Sequence, residues 1–261
     1  MVTISVVVPC YPPHQRYIPE LLYQLERQVV RPDEIIIALS EVSREEIVYF
    51  KNVWIKETSV SLQVVGQDIK ALAAVNRNYG AMHSKCDYIQ FLDADDKYHK
   101  RLIEVIKRTI EEKAPDAIIY HLSEDKIDLE GDLILRRSYT CEELFEKAFP
   151  DKKRNVIHEQ YLNSPQLFLD YAVHFGHLCI KYLIWQECPQ ADLRGREDSV
   201  YVRSLLWKWW EEGCKTNGLI VIPEVLTYYE QNMEHILEYL KAAFARVDAK
   251  EADGLSCEIV P

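Results

Sequence analysis

Tyr88-Ile89-Gln90-Phe91-Leu92-Asp93-Ala94-Asp95-Asp96 is an apolar run, the length of one buried strand, that stops at three carboxylates. A strand of this kind carries negative charge to its open end, where a divalent cation can sit. One small residue, Ala94, separates Asp93 from Asp95, so an extended or tightly turning backbone lets both side chains converge on one phosphate-bound cation. Three acids this close repel one another, and a cation relieves the repulsion. The plainer reading is a solvated acidic turn, since Asp is common after strands.

Outward from this stretch, the chain alternates strand and helix. Ile4 to Val8 is a β-branched run ended by Pro9 and Pro12-Pro13, and Ile18 to Gln28 places Ile18, Leu21, Leu22 and Leu25 on one helical face. Glu34 to Leu39 reads as a second buried strand, and Ser43 with Glu46 as a capping box for a helix towards Lys51. Leu62 to Val65 is a third strand, Ile69 to Ser84 is helical in period, and Tyr88 to Leu92 is the fourth strand. A helix over Leu102 to Glu112 and a fifth strand over Ala117 to Tyr120 follow. Units of this length need crossover connections, which predicts a mainly parallel, mixed α/β sheet with helices on both faces and ligands at the carboxyl ends of its strands.

The second half is less regular. Leu129 to Arg137 reads as a hairpin or edge strand, Thr140 and Glu143 as another capping box, and Asp151 to Pro165 as a polar loop. Val173 to Leu183 mixes apolar residues with His174, Gly176 and His177. Ser199 to Glu211 is a tryptophan-rich helix, Leu219 to Ile222 a strand, and Met233 to Val247 a last amphipathic helix before a polar tail.

Composition narrows the class. The chain has 261 residues, 48% of them hydrophobic, enough for a full core. Its 31 basic and 42 acidic residues give a formal charge of -11, which argues against a nucleic-acid surface. A phosphorylated ligand would have to be held locally, by a metal or a few placed cations. Seven scattered cysteines without pair spacing read as reduced thiols, hence a reducing, cytoplasmic setting. The first residues carry no basic leader and no apolar run long enough to span a bilayer, so no transmembrane segment is expected.

Two further constellations carry chemistry. In Gly195-Arg196-Glu197-Asp198-Ser199, acids in a first helical turn are favoured by the helix dipole alone, but one carboxylate facing a cleft could take a proton from an attacking hydroxyl; Asp198 or Glu197 fits that role. In Asn76-Arg77-Asn78-Tyr79-Gly80, Gly80 permits close packing and Arg77 could reach a phosphate. An aspartyl-nucleophile phosphatase also carries Asp-x-Asp after a strand, but after its first one; here the motif follows the fourth and runs into Lys97.

Ile4-Ser5-Val6-Val7-Val8-Pro9-Cys10-Tyr11, Asn76 to Ala81, Tyr88 to Asp96 with its DXD motif, and Glu197-Asp198, in this order, resemble a family 2 glycosyltransferase of the GT-A fold. The resemblance is specific over residues 2 to 112 and looser to about Tyr229. It implies one GT-A domain over 1–248, with a nucleotide-sugar half at 1–112, an acceptor and base half at 113–230, and a C-terminal helix at 231–248 before a tail at 249–261. It also implies an enzyme that binds a nucleotide-diphosphate sugar, a UDP-sugar being the expected donor, with Mn²⁺ or Mg²⁺. The sugar would pass with inversion to an acceptor hydroxyl of a glycan, protein or small molecule.

By the same resemblance, Pro9 and Tyr11 line the nucleotide pocket, Asp93 faces the ribose or the metal, Asp95 ligates the metal and Asp198 is the base. Arg77 joins the donor site, and His177 lies where acceptor contacts often fall. The family's acidic turn after the second strand is replaced by Ala38-Leu39-Ser40-Glu41-Val42-Ser43, with Glu41 as its substitute and Ser40 and Ser43 as lesser candidates. The Gln-x-x-Arg-Trp motif of the processive synthases is absent. The competing readings are a non-catalytic nucleotide-sugar binding module and a sugar nucleotidyltransferase, the latter without its Gly-rich basic loop after the first strand.

Overall fold

In the first half of the computed structural model, Pro9 continues the first strand rather than ending it. Strand β1 runs Ile4–Cys10, β2 Glu34–Leu39, β3 Ser61–Gly66 and β4 Tyr88–Phe91, all mutually parallel in the spatial order β3-β2-β1-β4. The carbonyl of Val7 accepts from Leu92 N on the β4 side. The period of two aims Pro9 the same way, beyond the last β4 pairing at Val7, so its missing N–H leaves no ladder bond unmade. The structure describes residues 2–123, 125–148, 173–190, 197–212 and 218–228. All lie within one compact unit, Met1–Tyr229.

The helices of this half are α1 (Ile18–Glu26), α2 (Arg44–Trp54), α3 (Ala73–Ala81) and α4 (Leu102–Lys113). The capping box forms as read: Glu46 N donates to Ser43 Oγ, and Ser43 N to Glu46 Oε2. Helix α3 starts four residues later than its periodicity suggests. Residues before it are spent on the loop after β2, with Glu41 N donating to Ile69 O and Val42 N to Gln67 O. Tertiary hydrogen bonding there outweighs helical period.

The second half completes the sheet in mixed sense. Short β5 (Lys97–Tyr98), β6 (Ala117–Ser123), β7 (Val173–Lys181) and β8 (Leu219–Tyr228) extend the order to β3-β2-β1-β4-β7-β6-β8-β5. Strand β7 runs antiparallel to both β4 and β6, while β6 and β8 are parallel. Strand β7, unassigned from sequence, is buried between two neighbours. Polar residues inside it blur the apolar alternation that marks a strand. The stretch Leu129 to Arg137 is not a strand; it reaches β8 through an isolated bridge at Leu135↔Glu224, and Tyr139↔Val221 forms a second one just beyond it.

The second capping box, Thr140 with Glu143, opens α5 (Cys141–Ala148). Helices α6 (Tyr182–Glu187) and α7 (Glu197–Glu211) follow β7 in the chain. The expected polar loop at Asp151 to Pro165, the helix at Met233 to Val247 and the tail lie outside the described residues.

Alternation along β1 and β2 divides two cores. Ile4, Val6, Val8, Ile35 and Ile37 pack with α1 and α4 on one face; Val7 and Ile36 pack with α5 and α7 on the other. Trp209 belongs to the second core and Trp207 packs against it. A Cβ on Gly80 would stand 2.6 Å from Val7 Cγ1 and 3.1 Å from Ala38 Cβ, so α3 lies on β1 and β2 as closely as a glycine allows. Among the described residues no helix is long and apolar enough to cross a membrane.

Candidate active site

The parallel sense of β1, β2 and β4 brings three chain segments to one edge: Pro9 with Tyr11, Ser40 with Glu41, and the acids after β4. Asn76 ties the first two together, its Nδ2 donating to Ala38 O (2.8 Å) and Cys10 O (3.3 Å). Glu41 is exposed and holds a left-handed backbone, φ 57°, fixed by its bond to Ile69 O.

The three acids take different environments. Asp93 keeps 24% of its side chain exposed and accepts from Arg77 Nη2 at 2.7 Å, Arg77 being almost wholly buried. Its backbone carbonyl accepts from Tyr98 Oη at 2.7 Å, so β5 pins the turn. Asp95, 21% exposed, lies 3.7 Å from His14 Nε2. The His14 ring packs at 4.0 Å from that of Tyr11 on the short 3-10 turn after β1. Asp96 is buried at 2% exposure, its Oδ2 2.9 Å from His177 Nε2.

His177 is fully buried on β7, stacked near Tyr120 and edge-on to Tyr98, with Asp93 Oδ2 at 3.7 Å. The expectation of an acceptor contact meets an imidazole packed behind the acid cluster, with no exposed surface of its own. Asp93, Asp96 and His177 each offer one ligand atom, all within 4.8 Å of one another, a group able to hold a metal ion. Burial drives the phenols of Tyr98 and Tyr120 well above their usual range, with Asp96 adding to the effect, so both remain neutral. Burial, and then the charge of Asp95, pushes the Cys10 thiol up to about 12.

Pro9, Tyr11, Glu41, Arg77, Asp93 and Asp95 thus share one strand-end edge. Glu197 and Asp198 open α7, but their side chains lie outside what is described. His14 belongs to none of the sequence motifs, and the motifs alone assign Asp96 no role. The signal for His14 was available: a ring-bearing residue in the loop after β1, next to a parallel strand that ends in acids.

The profile of glycosyl transferase family 2 matches residues 5–158, more than half of the chain. An uncharacterized glycosyltransferase of Haemophilus influenzae is 30% identical over 128 residues, 49% of this chain and 41% of that one. Among solved structures, residues 1-349 of S. aureus TarS superpose with a TM-score of 0.59 at 14% identity, covering 87% of this chain and 60% of that fragment. The same fragment in complex with UDP-GlcNAc gives 0.58 at 14% identity, over 87% of this chain and 58% of that one. A mycobacterial protein gives 0.54 at 14% identity, over 88% and 68%. The chain therefore spans well under two thirds of the length of the first of these relatives. The fold is GT-A, and the chain belongs to glycosyl transferase family 2.

Proposed function

We propose that the chain is an inverting glycosyltransferase that moves a sugar from a nucleotide-diphosphate sugar to an acceptor hydroxyl. One observation carries the reading: in a family 2 chain, Tyr11, Arg77, Asp93 and Asp95 gather at the carboxyl ends of β1 and β4. The TarS complexes with UDP and UDP-GlcNAc support a UDP-sugar as donor. The carboxylates, with an imidazole behind them, suit a hard divalent cation, Mn²⁺ or Mg²⁺. When bound, it supplies positive charge against the departing diphosphate.

In this reading Asp93 and Asp95, the two partly exposed acids, face the diphosphate. Arg77 fixes the Asp93 carboxylate from behind, and Asp96 with His177 forms the buried support of the turn. Pro9, Tyr11 and Glu41 bound the nucleotide. Asp198 takes the proton of the acceptor hydroxyl, with Glu197 beside it. Inversion requires attack from the side of the sugar opposite the diphosphate, and a base far along the chain from Asp93 and Asp95 is free to lie there. The 4.8 Å grouping of Asp93, Asp96 and His177 favours a second placement of the cation, deeper in the turn, that substitutions at Asp95 and Asp96 separate. Cys10, Cys86, Cys179 and Cys188 are free thiols, which supports a reducing, cytoplasmic setting.

The test is calorimetry and donor hydrolysis against a panel of nucleotide sugars with Mn²⁺. Metal-dependent binding with donor cleavage is expected. Binding without cleavage across the panel turns the reading to a non-catalytic binding module, and no binding at all overturns both.

A further inference from the structure

Asn78 follows Arg77 on α3 and points its amide elsewhere, into the segment that leads to Glu197-Asp198. Its Oδ1 accepts from Trp185 Nε1 (3.0 Å) on α6 and from Gln190 N (3.1 Å), and its Nδ2 donates to Gln190 O (2.7 Å). One side chain thus holds both backbone groups of Gln190 and the nearly buried Trp185. Gln190 precedes Glu197 by only seven positions in the chain. Consecutive helical residues point about 100° apart, so Arg77 reaches Asp93 while Asn78 reaches Gln190 from the same turn. Helix α3 is itself clamped on the sheet by Gly80 and by the Asn76 amide.

We propose that Asn78 is a positioning residue that fixes where the base-bearing start of α7 stands relative to the Arg77–Asp93 end of the site. Helix α3 is then a rigid bar, with the donor end attached at residue 77 and the base end at residue 78. The inference rests on the glycosyltransferase reading above. A misplacement of the base by a fraction of an ångström lowers turnover without touching donor contacts.

The test compares Asn78→Ala and Trp185→Phe with the wild-type chain. The readouts are donor Kd with Mn²⁺ by calorimetry, kcat for donor hydrolysis, and hydrogen exchange at the Gln190 amide. For Asn78→Ala, we expect Kd within about twofold, kcat lower on the order of 10- to 100-fold, and faster exchange at Gln190. Trp185→Phe removes one of the three bonds and is expected to lower kcat several-fold at unchanged Kd; it decides the matter alone if Asn78→Ala does not fold. Faster exchange with unchanged kcat, or a fall in kcat matched by an equal weakening of donor binding, overturns the role. A wild-type chain that neither binds nor hydrolyses any donor removes the underlying reading and this inference with it. A wild-type chain that does both, with variants equal to it, removes this inference alone.

Discussion

Arg77 donates from Nη2 to Asp93 Oδ1 across 2.7 Å, so the first acid of the motif is oriented by a nearly buried guanidinium rooted in a different element. The pair joins α3 to the end of β4 at the point where charge is most crowded. Removing the cation leaves Asp93 beside Asp95 and Asp96 without that counterweight. Breaking a buried pair by truncating one partner is costly, and the partial exposure of Asp93 reduces the cost to about 2 kcal/mol. Arg77→Met should lower the unfolding free energy by that amount and weaken metal-dependent donor binding roughly tenfold. Urea unfolding and calorimetry read the two effects. Arg77→Lys should fall between, because a single ammonium lacks the fork geometry of guanidinium.

Asp95 and Asp96 should separate on substitution. Asp95→Asn is expected to weaken Mn²⁺-supported donor binding by about 10- to 100-fold with little change in stability, the side chain being 21% exposed and 3.7 Å from His14. Asp96→Asn removes the charge that His177 faces in the interior, and should chiefly lower the unfolding midpoint. The reverse pattern, with metal affinity lost at Asp96 and kept at Asp95, places the cation at the Asp93, Asp96 and His177 group.

Asp198→Asn should lower turnover by about 10²- to 10⁴-fold, the usual contribution of a general base, and leave donor binding with Mn²⁺ intact. Loss of donor binding in this variant reassigns Asp198 to the donor pocket.

Gly80→Ala sets helix propensity against packing. Alanine favours the helix by up to about 1 kcal/mol. Its Cβ would meet Val7 Cγ1 at 2.6 Å and Ala38 Cβ at 3.1 Å, so a buried neighbour must give way. Overpacking of this kind costs about 1–3 kcal/mol, so a net destabilisation is expected in chemical unfolding. A variant more stable than wild type would mean that α3 can lift from the sheet.

Alkaline pH should destabilise the fold. Burial holds the Cys10 thiol up at about 12 against an ordinary value of 9.0, and raises Tyr98 and Tyr120 as well. The folded state keeps these protons while the unfolded chain releases them. The stability they contribute is fully present below pH 9 and is lost as pH rises from there through 12. Cys10→Ala should flatten the first part of that decline in urea midpoints measured across the range.

Local pattern made the first half of the chain legible. Uninterrupted β-branched runs at β1 and β2, a capping box at Ser43 and Glu46, and an apolar stripe in α1 are decided by residues close in sequence, so the sequence carries them. Strand β7 and short β5 were not legible. Their pairing partners lie far along the chain, and a buried strand holding His177 shows no clean period.

The site divides the same way. That acids end β4, and that Arg77 lies on the helix before them, is legible in the chain, because motif order is a property of the sequence. Tertiary structure alone decided how the acids differ: Asp93 on Arg77, Asp95 towards His14, Asp96 shut in against His177. Burial and the identity of the facing charge set the behaviour of a carboxylate, and both come from strands and loops that meet only after the sheet is assembled.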